Sequence, residues 1–478
     1  MTAQKREENI QEVPIAITAF SADKLEALGI QNVQELERIT PGLTVTYAGG
    51  FPLVYLRGVG TDAFLPGADP SVPFYVDGVA LLSGQGTADT LGRVKRVEVL
   101  KGPQGTLFGR NATGGAVNII TPDPDNVFAG DVGVEYGNYN TSKITAYANL
   151  PFTDELAVSI AGNSYQQDNF YENDGTGGIP DIYSRGGRVK LRWLAGDDVT
   201  LTLAGSLQKS SSNGGLNFEN TRVAPIFSAL IPQDPKADRH YNTDDFSGAI
   251  FNSRLLSATL DWQLPWVDAK LIGSDQLLDN DFVQADFDKS FLPIINIQSL
   301  KQKNKQRTVE LQFLSNDETP FSERFEWVAG LFYIESSGGY DPIAFEVAPG
   351  AINSIGSVLT GTPRAPLFSL LSNTLNGLVG PLGINLDNGI RLLNGGVLES
   401  EAYSAYLQGT YNFTDTFNLT LGLRYQSEDR DLKRSRLAVP QDGGGETVLR
   451  RDEVPTLSTT QLSPRVALLL RPFEDDSQ

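Results

Sequence analysis

The chain has 478 residues, and 38 Lys+Arg against 58 Asp+Glu give a formal charge of −20, the opposite of the net basic face a nucleic-acid binder presents. There is no cysteine, which removes thiolate zinc sites, iron–sulfur clusters, disulfides and thiol catalysis, and the single histidine, His240, is too little for a His-based triad or multi-His metal centre. Apolar residues make up 40%, enough for a core, yet the mean hydropathy is −0.20 and no apolar run reaches the roughly 18 residues of a membrane helix.

In chain order, Met1 to Ile10 is polar and lacks an apolar leader core, so any export signal is expected to have been removed. Val13–Thr18 reads as a short strand. Ser21 is placed to cap a helix over Ala22–Leu28 that Gly29 stops, and Asn32 with Glu35 reads as a capping box for a second short helix ending at Pro41-Gly42. Short strands follow at Leu43–Tyr47, Val54–Arg57, Phe74–Val76, Val94–Leu100 and Ala116–Ile120. Residues 13–122 thus read as one mixed α+β unit.

Beyond Pro122 the pattern changes to alternation. Val199, Leu201, Leu203 and Leu207 share one face against Thr200, Thr202, Ser206 and Gln208, and Phe417, Leu419, Leu421, Leu423 and Tyr425 oppose Asn418, Thr420, Arg424 and Gln426. Ile144, Ala146, Ala148 and Leu150 repeat this, as do Val309, Leu311 and Phe313. About twelve such segments occur, most with the roughly 9–11 residues that cross a bilayer at a tilt. Short connections such as 137–140, 195–198 and 414–416 alternate with long ones near 168–183, 211–252, 280–305, 337–400 and 430–459, as in an outer-membrane barrel. Trp193, Trp262, Trp266, Tyr411 and Phe413 fall near segment ends, where an interfacial girdle sits. A soluble β-sandwich, solenoid or barrel also alternates; segment length and loop asymmetry favour the membrane form.

The densest motif runs from Arg96 to Thr121 and carries Glu98, Gly105, Gly109, Gly114, Gly115 and Asn118. Its glycines permit positive φ and close packing, and it matches no phosphate-loop spacing. This stretch resembles the second half of the plug domain of TonB-dependent outer-membrane receptors. Val13–Phe20 with Ile39-Thr40-Pro41-Gly42 resembles the plug's opening, Tyr55–Gly60 with Arg57-Gly58 its Arg-Gly strand, and Val72–Val79 with Asp77-Gly78 its Tyr-x-Asp-Gly-Val strand. The resemblance implies a mixed α+β plug (13–122) after a remnant (1–12) of the linker that follows the TonB box. An antiparallel transmembrane β-barrel (123–478) comes next, about half of a 22-stranded barrel and so a fragment.

It further implies a bacterial outer-membrane transporter, not an enzyme, with no cofactor and no bound metal, iron entering only within a transported chelate. The implied partners are the TonB energy-transducing complex, outer-membrane lipid and a small-molecule ligand, a ferric siderophore first, with a carbohydrate, vitamin or other organic nutrient as the alternative. A passive porin or adhesin, or a soluble glycosidase with paired carboxylates, are rivals from other classes. By the same resemblance Arg57 and Arg110 are expected to pair with an inward Glu310, and the plug loops bearing Phe51, Pro52, Asp62 and Phe64 to touch ligand. Asp77-Gly78 reads first as a β-turn. Asp279, Asp281, Asp286 and Asp288 read as a solvated acidic loop before a calcium site, His240 as a loop residue, and Leu367–Leu393 as a helical lid or rim patch.

Overall fold

The computed structural model describes residues 4–6, 8, 13–30, 32–48, 51–61, 69–82, 93–109, 111–169, 172–173, 181–212, 240–241, 248–286, 295–299, 302–348, 373–374, 376–377, 389–414, 416–440, 446–451 and 456–470. Arg110, Asp62, Phe64, Asp288 and the Phe51 side chain, all singled out above, lie outside the described residues.

The N-terminal unit is built on two small sheets. Strand β1 (Ala16–Ser21) leads into helix α1 (Ala22–Ala27), which starts where Ser21 Oγ accepts from the Lys24 amide at 3.4 Å. Asn32 Oδ1 accepts from the Glu35 amide at 2.9 Å, as a cap should, but the helix that follows, Gln34–Arg38, is 3-10. Strands β2 (Leu43–Ala48), β3 (Phe51–Leu56) and β4 (Val59–Gly60) form one sheet; β1, β5 (Phe74–Val76), β6 (Val79–Ala80), β7 (Arg96–Lys101) and β8 (Gly115–Ile120) form the other. A single turn of helix, α2 (Gly105–Phe108), lies between β7 and β8. The core is apolar on the inside in the ordinary way, with Val33, Leu36, Leu56, Val72, Val97, Val99 and Val117 fully buried.

Two hairpin turns have the two positive φ values that a tight right-twisted turn demands: Arg57 (+53°) with Gly58 (+79°), and Asp77 (+48°) with Gly78 (+85°). The Asp77-Gly78 turn expected from sequence is therefore present. Gly115 sits at φ +150°, and a Cβ there would lie 2.1 Å from the Leu100 carbonyl oxygen, so only glycine fits.

From residue 129 the chain forms one antiparallel sheet: β9 (Ala129–Gly137), β10 (Thr141–Pro151), β11 (Leu156–Gln167), β13 (Ile182–Leu194), β14 (Val199–Ser212), β16 (Gly248–Leu264), β17 (Val267–Asp286), β19 (Gln302–Ser315), β20 (Phe325–Val347), β21 (Ile390–Thr414), β22 (Phe417–Pro440) and β24 (Leu457–Leu470). Short pieces β18 (Ile295–Ser299) and β23 (Glu446–Arg451) prolong it, making 14 strands, and β12 (Glu172–Asn173) pairs apart from it with β15 (His240–Tyr241). His240 is thus a strand residue, not a loop one.

Sequence neighbours pair throughout, as a meander requires. The short turns gather at one end, where Asn412 N donates to Arg324 O and Gln263 N to Asp198 O. The turn 138–140 belongs to the other end despite its length, because Asp168 N donates to Tyr139 O there.

The burial of this sheet is inverted. In β19 the buried positions are Gln302, Asn304, Gln306, Thr308, Glu310 and Gln312, while Val309 is 47% exposed. In β22, Thr420, Arg424, Gln426 and Glu428 are buried and Leu421, Leu423 and Tyr425 exposed. An apolar outer face over a polar inner face is the arrangement of a transmembrane barrel wall. At the short-turn end Trp193, Trp262, Trp266, Tyr411 and Phe413 all face outward; Tyr411 meets Phe413 edge-to-face at 4.8 Å, and Phe413 stacks on Phe417 at 5.1 Å.

Strands β17, β20, β21 and β22 run to 20, 23, 25 and 24 residues, longer than alternation suggests. Asp279, Asp281 and Asp286 consequently lie on β17 rather than in an acidic loop, and Ile390–Leu393 belong to β21 rather than to a lid, while most of the 367–389 stretch lies outside the described residues. Past the lipid band both faces meet water, so stretches such as Ser336-Ser-Gly-Gly339 pair as strand without an apolar parity to betray them.

Candidate functional site

The N-terminal unit sits against the polar inner face of the sheet and touches it from one edge to the other. Arg93 pairs with Asp131 of β9 at 3.2 Å, and the Leu82 amide donates to Gln276 of β17 at 2.7 Å. Gln306 of β19 donates to the Ala80 carbonyl at 2.7 Å, and α2 packs on β21, β22 and β24. The unit is a plug on the lumen side.

Besides Arg93–Asp131, three further ionic contacts help to tie it there. In the first, Lys190 of β13, only 2% exposed, reaches Asp77 and Asp123, each at 2.9 Å. Asp77 also accepts from the Thr121 amide (2.8 Å) and hydroxyl (2.7 Å), so the turn aspartate joins the plug, the link to β9 and the barrel wall. A buried ammonium of this kind needs both carboxylates to offset its lost hydration. In the second, Arg430 of β22 bonds Asp69 of the plug and, at 2.7 Å, Glu428 of its own strand.

The third contact involves Glu310. It was expected to meet Arg57 or Arg110. Its carboxylate instead accepts from Lys5 at 3.1 Å and from the Tyr406 hydroxyl at 2.7 Å. Lys5 Nζ lies 5.3 Å from the Phe108 ring centroid, and Tyr75 donates to the Phe108 carbonyl at 2.7 Å. Burial pushes the Tyr75 phenol up, so it remains a donor. Arg424 spans the Phe332 and Tyr406 rings, each at 5.5 Å, and bonds Ser404. Next to Lys5, Arg6 donates to the carbonyls of Ser315 (2.6 Å) and Trp327 (3.0 Å) at the short-turn end, and Gln4 accepts from Gln408 at 2.7 Å. The segment before the plug is therefore strapped inside the sheet.

Arg57 occupies an exposed hairpin turn at φ +53°. Glu98 is fully buried within the plug between Arg96 (2.7 Å) and Asn118 (3.1 Å), a plug-internal contact. Gly105 faces Ser463 of β24, Gly109 faces Arg424 and Gly114 abuts the Val59 carbonyl, so these glycines let backbone approach its neighbours. Lys5, Lys190 and Arg430 escaped the sequence reading. A cation on the wet parity of a strand is the one signal that could have flagged Lys190 and Arg430.

Between the plug and β19–β22 lies a cavity that Pro52, Asp69 and Phe108 line from the plug side, with Gln302, Asn304 and Arg430 opposite. Both amide atoms of Gln302 and the Asn304 carbonyl oxygen are buried without a hydrogen-bond partner. Among the described residues no cluster of His, Asp or Glu has the makings of a metal site.

Comparison with known proteins agrees with this geometry. The TonB-dependent receptor plug domain model matches residues 9–116, and the TonB-dependent receptor-like β-barrel model matches residues 367–477. The pesticin receptor of Yersinia pestis is 35% identical over 193 residues, 38% of this chain and 28% of that protein. The vitamin B12 transporter BtuB of Vibrio vulnificus is 27% identical over 184 residues, 37% of this chain and 29% of that protein. The crystal structure of the ferric yersiniabactin uptake receptor FyuA from Yersinia pestis superposes with a TM-score of 0.74 at 20% identity, covering 97% of this chain and 63% of that one. The matches thus span under a third of these curated relatives and under two thirds of that structure. With a plug seated on the lumen face of outward-apolar strands, and a family model matching at each end, the chain joins a TonB-dependent receptor plug domain to TonB-dependent receptor-like β-barrel strands.

Proposed function

We propose that this chain supplies the plug and part of the barrel of a receptor that imports a scarce nutrient, a ferric siderophore first, by energised movement of the plug. The observation that carries the reading is the Lys5–Glu310 contact. It joins the segment just before the plug to the barrel wall, so tension on that segment from a periplasmic partner acts first on a buried pair. The outer membrane holds no nucleotide pool of its own to drive release, and the TonB energy-transducing complex is the partner this layout suits.

The cavity beneath Pro52 and Asp69 is the proposed ligand position, with unpartnered carboxamides offering both donor and acceptor to a polar solute. The name of the ferric yersiniabactin uptake receptor supports an iron chelate, and that of the vitamin B12 transporter supports an organic nutrient as the second reading. The test is uptake of labelled ferric chelates, cobalamin and oligosaccharides by the full-length protein, with and without the inner-membrane energiser. Energiser-dependent uptake of a ferric chelate is expected; uptake indifferent to the energiser would overturn active transport, and uptake of only cobalamin or a sugar would replace the cargo.

A further inference from the structure

We propose that the cargo carries a carboxylate, and that Arg424, at the deep end of the cavity between the plug and β19–β22, receives it. The inference rests on the reading of that cavity as the cargo position and adds a charge to the cargo.

β22 gives the cavity wall Arg424, Gln426, Glu428 and Arg430, all on the inward parity of one strand. Arg424 is nearest the short-turn end and Arg430 nearest the long-loop end, about 20 Å apart along the strand.

The two arginines are in opposite electrostatic states. Arg430 lies between two carboxylates, bonding Asp69 of the plug and, at 2.7 Å, Glu428, so its charge is already answered. Arg424 is only 4% exposed, and no carboxylate among the described residues forms an ion pair with it. One of its nitrogens donates to Ser404, and its guanidinium carbon stands 5.5 Å from the Phe332 and Tyr406 ring centroids. Its Nε is buried with no hydrogen-bond partner. Glu310, whose charge reaches it, already accepts from Lys5 and from the Tyr406 hydroxyl.

Two ring faces and one hydroxyl offset only part of a guanidinium's lost hydration; a carboxylate offsets far more. A carboxylate on the solute matches the vacancy, because its two oxygens fit the planar fork that includes Nε. Phe332 and Phe108 line the same cavity, and beside apolar surface such a pair is stronger than in water. The long-loop end suits an anion poorly. There Asp69 and Glu428 surround a single guanidinium, and the Gln302 and Asn304 amides are neutral. The solute is thereby oriented, acid inward and its neutral or chelating body toward the amides.

The test measures binding to the full-length receptor in neutral detergent with two matched frames. One is the ferric complex of ferrioxamine B with its free amine acetylated, which is neutral, or succinylated, which adds a carboxylate. The other is cobalamin and its monocarboxylic acid, in which one peripheral amide is hydrolysed. Metal coordination is the same within each frame. In a frame that binds, wild type is expected to prefer the carboxylate by roughly tenfold, the worth of one charge-assisted contact. Arg424→Gln should abolish the preference and hold the neutral compound within about twofold of wild type. Arg188→Gln removes a lumen cation at the Arg93 carbonyl, outside this cavity, and should keep the preference whole.

Equal wild-type affinities within a frame, or a preference that survives Arg424→Gln or is lost equally in Arg188→Gln, would overturn the inference and leave the cavity as cargo position. So would equal weakening of both compounds by Arg424→Gln, the mark of a packing role. Failure of both frames to bind wild type at millimolar concentration would overturn the cavity reading itself, and the inference with it. Should Arg424→Gln lose heat-modifiable gel mobility, Arg424→Lys decides. It keeps the charge without the fork and should cut the preference by about threefold or more, and an undiminished preference overturns the inference.

Discussion

Plug and barrel obey the same two-residue alternation and bury opposite halves of it. In β7 and β8 of the plug, Val97, Val99 and Val117 lie inside with no exposed surface, whereas in β19 the inside belongs to Gln306, Thr308, Glu310 and Gln312. The pleat supplies two faces, and the medium beyond each decides which is apolar. The plug is a water-born core inserted into a wall whose outside is oil. Their shared boundary is consequently largely polar, held by charges and hydrogen bonds, with an apolar contact where Leu107 and Phe108 of the plug cluster with Val328 and Tyr406 of the barrel.

The largest expected effect attacks the plug's own core. Gly115→Val puts a branched side chain where even a Cβ meets the Leu100 carbonyl at 2.1 Å, at a φ that valine avoids. A loss above about 4 kcal/mol is expected for the plug, read as loss of the plug's transition in urea while the barrel keeps its heat-modifiable mobility. Loss of both together would mean that the two regions fold as one.

Next comes the seam. Lys190→Ala leaves Asp77 without its ammonium partner, and removal of one side of a buried pair costs about 3–5 kcal/mol. Lys190→Met fills the space without the charge and still strands Asp77, so it should rescue little. Lys190→Met combined with Asp77→Asn should recover most of the loss in the plug's urea midpoint. Failure of that recovery would argue that the aspartate's hold on Thr121, rather than the ion pair, is what matters.

The outer face predicts a smaller, medium-dependent effect. Leu421→Arg places a charge on the lipid side of β22, where such changes cost about 2–4 kcal/mol near the bilayer midplane. Folding titrations into lipid vesicles measure it. A neutral outcome would move Leu421 out of the apolar band and with it the assignment of inside and outside.

These assignments were largely legible before any coordinates. Parity alone tells which side of β14, β19 and β22 is greasy, and the resemblance of 96–121 to the family's plug motif marks the plug. The seam was not legible, for a physical reason. Lys190 and Arg430 sit on the wet parity of their strands, where a lumen-facing cation and a solvated one read alike, and only the register with Asp77 and Asp69 separates them. Lys5 lies in a stretch with no periodicity at all. The upper halves of β20 and β21 were hidden because water on both faces removes the alternation that defines a strand in sequence.

A pH effect is expected at the strap before the plug. Burial, then the neighbouring Glu326, raises the Glu8 carboxyl from 4.5 to about 7, against the pull of Arg6 and Arg465. A carboxyl whose pKa rises on docking favours the docked state while protonated. The strap should hold fully below about pH 4.5, weaken as pH climbs toward 7 and stay weaker above it. Glu8→Gln should tighten it above pH 7, by on the order of 3 kcal/mol at most, and change little at pH 4.5. Hydrogen exchange of residues 4–8 against pH reads the difference, and a variant effect independent of pH would remove Glu8 as its source.

The smallest effect discriminates best between the seam expected from sequence and the seam observed. Arg57 was expected to reach Glu310, but its turn exposes it and Lys5 takes that carboxylate. Arg57→Ala should shift the plug's urea midpoint by less than about 0.5 kcal/mol, as exposed positions do, provided the αL turn is kept. Alanine carries the same penalty at φ +53° as arginine, so the change is small, and Arg57→Asn, which tolerates that φ, should be neutral or slightly stabilising. Lys5→Ala in the same assay should free the segment 4–8 from the barrel and raise its exchange, while Arg57→Ala leaves it protected. If the two variants loosened that segment equally, Glu310 would have to be shared between them, and the turn at 57–58 would belong to the seam after all.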